Sequence, residues 1–121
     1  MEGLVPGRIV YYVLNDTDVD QITRRRTIAI SIAERMKKNP PQWPAGAQAH
    51  IGNTVSAGDI VPAMVVAVFG SSPNVNLKVM LDGSDTYWVP SAEYDPEKKG
   101  RSWHWMFDGQ QKRYTPDAAK A

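Results

Sequence analysis

The feature that most constrains the fold is an alternation of apolar and polar residues at 75–81, "VNLKVML", followed by a turn. Successive side chains of a β-strand point to opposite faces, so the four apolar residues share one face: Val75, Leu77, Val79 and Leu81. "DGSD" (82–85) comes next, and Gly83 accepts the positive φ that tight hairpin turns require. "TYWVPSAEY" (86–94) then supplies a return strand. This pattern predicts an antiparallel hairpin with one buried face.

Three further stretches have the β-branched and aromatic composition of strands. They are "GRIVYYVL" (7–14), "DIVPAMVVAVFG" (59–70) and "RSWHWMF" (101–107). The second is apolar throughout and is predicted to be a central strand. We expect it to begin after Pro62, because proline cannot donate a hydrogen bond to a neighbouring strand. Together with the hairpin, these stretches predict five strands, the last four in an antiparallel meander.

The segment 16–39 is predicted to be helical and to contain two helices. Thr17, with Asp20 three residues later, resembles a helix start with acids in the first turn. Ser31, with Glu34 three residues later, has the spacing of a capping box and indicates a second start. The prolines that follow at 40 and 41 end the helix.

The predicted fold class is α+β: a small, curved antiparallel β-sheet or SH3-like barrel, with the helical segment inserted after the first strand. A chain of 121 residues suits one domain with one core. We expect that domain to span 1–108, with a Pro/Gly-rich loop at 40–58. A polar tail that frays is expected at 109–121.

Charge and composition limit the classes of partner. The net charge is +1, from 14 Lys+Arg and 13 Asp+Glu. This balance argues against a long nucleic-acid footprint, which depends on many phosphate contacts, but it permits a small anion in a local basic pocket. The longest apolar runs are about ten residues, whereas roughly 20 are needed to cross a bilayer. With no cysteine and no signal pattern, we expect a cytoplasmic protein that does not associate with membranes.

Catalytic and metal-binding patterns are missing from the sequence. His50 and His104 are the only histidines, and no serine or carboxylate forms a recognisable catalytic motif with either. A metal site needs more histidines or clustered acids than this chain offers. We therefore expect a protein that is not an enzyme and that has no cofactor and no metal.

The three consecutive arginines, Arg24 to Arg26, are the first candidate for anion binding. Successive helical residues are ~100° apart, so the three side chains fan across about 200° and only one or two of them can contact one phosphate. They can also be the cations that complement the C-terminal end of a helix dipole. Thr27 and Ser31 would lie at the start of the second helix, where anions bind well. Both interpretations remain open from the sequence.

Aromatic residues are the second set of candidates. Alternation within 101–107 places Trp103, Trp105 and Phe107 on one face, and His104 and Met106 on the other. If the tryptophans belong to the core, His104 faces outward and can contact a ligand. Trp43 and Trp88 are harder to bury and are candidates for stacking on a base.

The loop at 40–58 carries polar residues, including His50 and Asn53. They are either ordinary surface residues or, if the loop covers a ligand or a neighbouring subunit, groups that contact a base edge.

The stretches "GRIVYYVL", "VPAMVVAVFG", "VNLKVMLDGSD" and "WHW" together resemble a family of small phage-encoded proteins, and the chain looks most like the phage Thoeris anti-defence sponges. Those proteins bind signals of the cyclic ADP-ribose type, and some also bind CBASS cyclic oligonucleotides, without cleaving them. They assemble as oligomers with pockets at subunit interfaces. The resemblance implies a homo-oligomeric protein of the infected bacterial cytoplasm that sequesters a cyclic nucleotide immune signal.

The resemblance also implies arginines on the phosphates and an aromatic residue under a base. The candidate ligand-binding residues are then Arg24, Arg25, Arg26, Thr27, Trp43, His50, Asn53, Met80, Trp88, Arg101 and His104. Met80 stands where the family usually has phenylalanine, although a thioether can still pack against a ring. The alternative functions are an SH3-like module that binds a host protein or single-stranded nucleic acid, and an accessory protein of the virion.

Overall fold

The computed structural model describes residues 1–38 and 52–113, and its five strands form a closed barrel. In chain order the strands are β1 (Ile9–Val13), β2 (Ile60–Val68), β3 (Val75–Met80), β4 (Thr86–Tyr94) and β5 (Ser102–His104). Each strand pairs with the next, and β5 closes the barrel by pairing with β1. With one long helix after β1, this confirms the prediction of a small α+β barrel.

One part of the predicted topology is wrong, because β5 runs parallel to β4 rather than antiparallel. The connection at 95–101 is not a simple hairpin turn. Lys98 donates its backbone N–H to the Asp95 carbonyl (3.1 Å), and both Lys98 and Arg101 have a φ of 64°. This compact loop returns the chain in its original direction, so that β5 fills the gap between β4 and β1. The strand is also shorter than predicted and ends at His104.

The core is formed by the inward-facing residues of every strand, as the alternation at 75–81 predicts. The inward faces of the strands are fully or almost fully buried at Val10, Tyr12, Ala63, Val65, Val75, Leu77, Val79, Tyr87, Val89 and Trp103. Trp103 also donates its indole N–H to the Pro73 carbonyl (2.9 Å). β2 includes Pro62, contrary to the predicted strand start. The missing N–H is tolerated because residues 60–62 pair with β1 alone, whereas pairing with β3 begins at Ala63.

The helical segment is a single helix, α1 (Asp16–Lys38), and the prediction of two helices is wrong. Its N-cap is Asn15, whose Oδ1 accepts the Asp18 N–H (2.8 Å), while Asp18 Oδ2 accepts the Asn15 N–H (3.1 Å). This capping box lies two residues before the one predicted at Thr17. Ser31 lies inside the helix, because no glycine or proline between Asp16 and Lys38 ends it earlier.

Helix α1 contacts the barrel along the face that carries Asp18, Ile22 and Arg26, which are four residues apart and all buried. Beyond Arg26 three isoleucines of the helix are exposed: Ile28, Ile30 and Ile32 keep 59%, 47% and 41% of their surface. No helix in the described ranges is long and apolar enough to cross a membrane.

After β5 the chain packs against the outside of β1 and reaches a short helix, α2 (Gln110–Arg113). The Gln110 side chain is buried: its Nε2 donates to the Ile9 carbonyl (2.7 Å), and its Oε1 accepts the Met106 N–H (2.6 Å). Arg8 donates from its guanidinium to the Gln110 carbonyl. The packed chain therefore extends past 108, where the polar tail was predicted to begin to fray.

Candidate functional site

The arginine triplet separates into three environments. Arg24 forms an ion pair with Asp20 (3.1 Å) in which both side chains are largely exposed. Arg25 is exposed and holds its guanidinium over the Tyr87 ring, 5.4 Å from the ring centroid. Arg26 is buried, at 8% exposure. The three residues do not form one phosphate clamp.

Arg26 fixes helix α1 to the turn between β3 and β4. Its Nε and Nη2 donate to both carboxylate oxygens of Asp85 (2.8 and 3.1 Å). Nη1 donates to the Asn53 carbonyl (2.8 Å), and Nη2 also donates to the Asp82 carbonyl (3.1 Å). The hydrogen bond between the pair lowers the pKa of Asp85 and raises the pKa of Arg26. Four intramolecular hydrogen bonds give this guanidinium a structural role.

Asn53 and Thr27 are also engaged within the chain. Asn53 donates its backbone N–H and its Nδ2 to Asp82 Oδ2 (3.1 and 2.8 Å). Thr27 donates its hydroxyl to the Thr23 carbonyl (2.9 Å) in the middle of α1. Because α1 is continuous there, the anion-binding helix start expected at Thr27 does not exist.

The other candidates are dispersed. Trp88 is 53% exposed on the outer face of β4, opposite Lys78 of β3. Met80 is half-buried at the end of β3. Trp43 and His50 lie outside the described residues.

Arg101 belongs to a buried network that the sequence patterns did not indicate. Its Nη1 lies 3.3 Å from Oδ1 of Asp18, which is fully buried. The hydroxyls of Tyr12 and Tyr87 donate to the same carboxylate, at 2.6 and 3.0 Å. Burial, followed by the hydrogen bond to Asp18, raises the pKa of both tyrosines. This network joins the start of α1 to the end of the barrel.

A cleft of about 340 Å³ lies on the outer wall of the barrel, between β1, β5 and the segment 105–111. Its aromatic lining residues are Tyr11, Tyr94, Trp105, Phe107 and His104. Its charged lining residues are Lys98 and Asp108. Of the predicted site residues that the structure describes, only His104 lies in this cleft.

The aromatic side of the cleft is held in place by the core. Trp105 packs edge-on against Trp103, with centroids 5.0 Å apart and ring planes at 89°. Arg8 places its guanidinium 5.7 Å from the Trp105 ring centroid. Tyr94 also packs against Trp103 (4.8 Å between centroids). The rings are therefore positioned before any ligand arrives.

His104 is 6% exposed and lines the cleft, with its ring 5.7 Å from that of Tyr11. As predicted, it lies on the opposite face of β5 from Trp103, but the residues around the cleft cover it. Its Nδ1 has no hydrogen-bond partner among the described residues. Burial, and then the charge of Lys98, lower the pKa of His104 below its ordinary value. The imidazole is therefore neutral at pH 7.

This depressed pKa predicts that acid destabilises the fold. In the unfolded chain His104 takes up a proton near pH 6.5, whereas in the folded chain it does so only at lower pH. We expect the free energy of unfolding to fall below about pH 6.5, by at most about 1.4 kcal/mol per pH unit from this group. Urea unfolding of wild type and His104→Phe between pH 8 and 5 measures the effect.

The difference between wild type and His104→Phe isolates this group from the other histidine. The loss linked to Asp85, whose pKa is also lowered, belongs to a separate window below about pH 4. Parallel pH profiles of the two proteins between pH 7 and 5 would contradict the assignment.

No family model, curated protein or solved structure matches this chain. Within 1–38 and 52–113, no three His, Cys, Asp or Glu residues lie close enough together to hold a metal ion.

Proposed function

We propose that this protein is a phage anti-defence sponge, which sequesters a cyclic nucleotide immune signal in the outer-wall cleft without cleaving it. The signal is of the cyclic ADP-ribose type or is a cyclic oligonucleotide. The observation that supports the proposal is a cleft lined by aromatic rings and by Lys98. Two of these rings, Tyr94 and Trp105, pack against Trp103 of the core. The sequence motifs that resemble those of the sponge family favour the same class of ligand.

Aromatic side chains and a cation are the groups that a nucleotide requires. Any of the nucleobases can stack on a Tyr, Trp or Phe ring, because every base has a π face. Lys98 supplies a positive charge for a phosphate. The cleft volume of about 340 Å³ falls in the range of small-molecule sites, roughly 300–1,000 Å³.

The proposal includes an SH3-like barrel and a homo-oligomer in the cytoplasm of the infected bacterium. Self-association is supported by the exposed isoleucines in the second half of α1, Ile28, Ile30 and Ile32, since water-exposed apolar side chains are stabilised by burial. Native mass spectrometry of protein from a cell lysate measures the number of subunits and any nucleotide that co-purifies.

Calorimetry with a panel of cyclic ADP-ribose isomers, cyclic dinucleotides and cyclic trinucleotides tests the function. We expect one class to bind and to be recovered unchanged. Trp105→Ala should weaken binding by about 10- to 100-fold, since stacking contributes about 1–3 kcal/mol per base. Phe107→Ala is a second variant on the same wall, and thermal unfolding checks that both variants fold.

Trp88→Ala is the matched control, because Trp88 is exposed on β4 and does not line the cleft. It should bind like wild type. If no member of the panel binds, the sponge proposal fails, and recovery of altered products would make the protein an enzyme.

The aromatic lining also supports a second candidate, an SH3-like module for a proline-rich host peptide. Such peptides bind in grooves lined by aromatic residues, and this cleft is lined by Tyr11, Tyr94 and Trp105 together with Pro96. A host protein captured by wild type but not by Trp105→Ala, with no nucleotide bound, would favour this candidate.

A further inference from the structure

Two basic side chains line the same cleft although they belong to different elements. His104 is the last residue of β5, and Lys98 lies in the loop between β4 and β5. We infer that they form an anion subsite, in which a phosphate group binds together with a proton on the His104 imidazole. The identity of the molecule that carries the phosphate rests on the proposed function, whereas the subsite rests on these two residues.

The first support is the unpaired nitrogen of a buried side chain. Buried polar groups in proteins are nearly always hydrogen-bonded, and an exception calls for an explanation such as strain, a catalytic role, or a bound water or ion. His104 is 94% buried, yet its Nδ1 has no partner in the described part of the chain. Nδ1 itself has almost no accessible surface, but a half-turn of the ring exchanges it with a carbon, and the turned ring can present this nitrogen to a ligand oxygen in the cleft.

The second support is the charge around His104. The positive charge of Lys98, in the loop between β4 and β5, disfavours a second positive charge on His104. The lining residues of the neighbouring strands are uncharged: Tyr11 of β1 and Tyr94 of β4. Asp108, on the segment after β5, is exposed. Without a ligand the imidazole therefore stays neutral. A phosphate between the two basic groups offsets the charge of Lys98 and forms a charge-assisted hydrogen bond with the imidazolium.

The third support is the backbone at Lys98. A lysine with a φ of 64° occupies the left-handed region, which is unfavourable for residues with a long side chain. Strained residues of this kind concentrate at binding sites, where the surrounding structure maintains them. Here the Lys98 N–H bonds to the Asp95 carbonyl and keeps the lysine in the cleft lining.

The experiment compares two probes that differ in one phosphate, 3′,5′-cyclic AMP and adenosine. The phosphodiester of cyclic AMP does not titrate between pH 5 and 8, so any proton that is taken up comes from the protein. We expect cyclic AMP to bind at least about tenfold more tightly than adenosine at pH 6. Its affinity should rise by up to about tenfold per unit fall in pH, with uptake approaching one proton in calorimetry across two buffers.

Two variants with a matched control locate the effect. Lys98→Asn removes the positive charge and keeps the left-handed backbone, which asparagine tolerates. It should weaken the binding of cyclic AMP by about tenfold and leave the binding of adenosine unchanged. Lys99→Asn is the control, because Lys99 pairs with Glu93 (3.0 Å) on the surface and does not line the cleft. His104→Phe keeps a ring and should abolish proton uptake.

Proton NMR of the wild-type imidazole gives a readout that needs no variant to fold. Saturation with cyclic AMP should raise the pKa of His104 by about one unit or more. An unchanged His104 pKa, or cyclic AMP that binds no better than adenosine, would overturn the subsite. Proton-linked binding of cyclic AMP with no binding by the signal panel would leave the subsite standing and remove the sponge. Binding of a panel signal without uptake of a proton would leave the sponge standing and remove the subsite.

Discussion

Asp18→Ala is expected to destabilise the protein by about 3–5 kcal/mol, because it leaves several buried polar groups without a partner. Asp18 is fully buried and accepts hydrogen bonds from the hydroxyls of Tyr12 (2.6 Å) and Tyr87 (3.0 Å). It also accepts the Asn15 N–H and pairs with Arg101. Alanine removes these acceptors and also the side-chain half of the capping box, whereas the bond from the backbone N–H of residue 18 to Asn15 remains. Urea unfolding measures the loss.

Asp20→Ala is the control for this experiment, since Asp20 lies on the same helix and forms an exposed pair with Arg24. Its effect should be within about 0.5 kcal/mol, as is usual for surface ion pairs. A loss below about 1 kcal/mol for Asp18→Ala would mean that water replaces the carboxylate, and that the network does not join the helix to the barrel.

Arg26→Ala is expected to cost about 2–4 kcal/mol, because it breaks four hydrogen bonds and leaves Asp85 without its cation. The loss should also loosen the attachment of α1 to the β3–β4 turn. Chemical unfolding measures the stability, and hydrogen exchange of the α1 amides measures the loosening.

Arg24→Ala is the matched control, two residues earlier on the same helix, with an effect expected within about 0.5 kcal/mol. Equal, small losses for Arg24→Ala and Arg26→Ala would contradict the role assigned to Arg26. They would instead indicate a basic face in which no arginine is fixed.

The hairpin was predictable because its signal is local. The alternation at 75–81 states which side chains share a face, and all four apolar members are buried. The role of Arg26 was not predictable, since its carboxylate partner is 59 residues away in the sequence. Adjacent arginines look alike in a sequence and separate only when the fold gives each a different surrounding.

Helix α1 shows that the spacing of a capping box can occur at positions where no helix begins. Asn15 and Thr17 both have an acid three residues later, and the structure shows that Asn15 is the residue that caps the helix. The spacing of Ser31 and Glu34 fits a capping box, yet a helix already in progress continues unless a glycine or proline stops it.

Only part of the cleft could be predicted from the sequence. Alternation gave the opposite faces of Trp103 and His104, but it could not show what covers His104. That cover depends on the segment after β5, which Gln110 fixes through contacts about 100 residues apart. A single glutamine in a polar stretch has no pattern that indicates burial. The parallel pairing of β5 was likewise hidden, because strand order depends on non-local contacts.

The closed barrel divides each strand into residues that maintain the fold and residues that meet solvent or ligand. Tyr12 and Trp103 face the core, whereas their sequence neighbours Tyr11 and His104 line the cleft. Substitutions at the outward positions can therefore change which ligand is recognised while the inward positions keep the barrel intact. Such a scaffold can diversify its specificity, one outward residue at a time, without passing through unfolded intermediates in evolution.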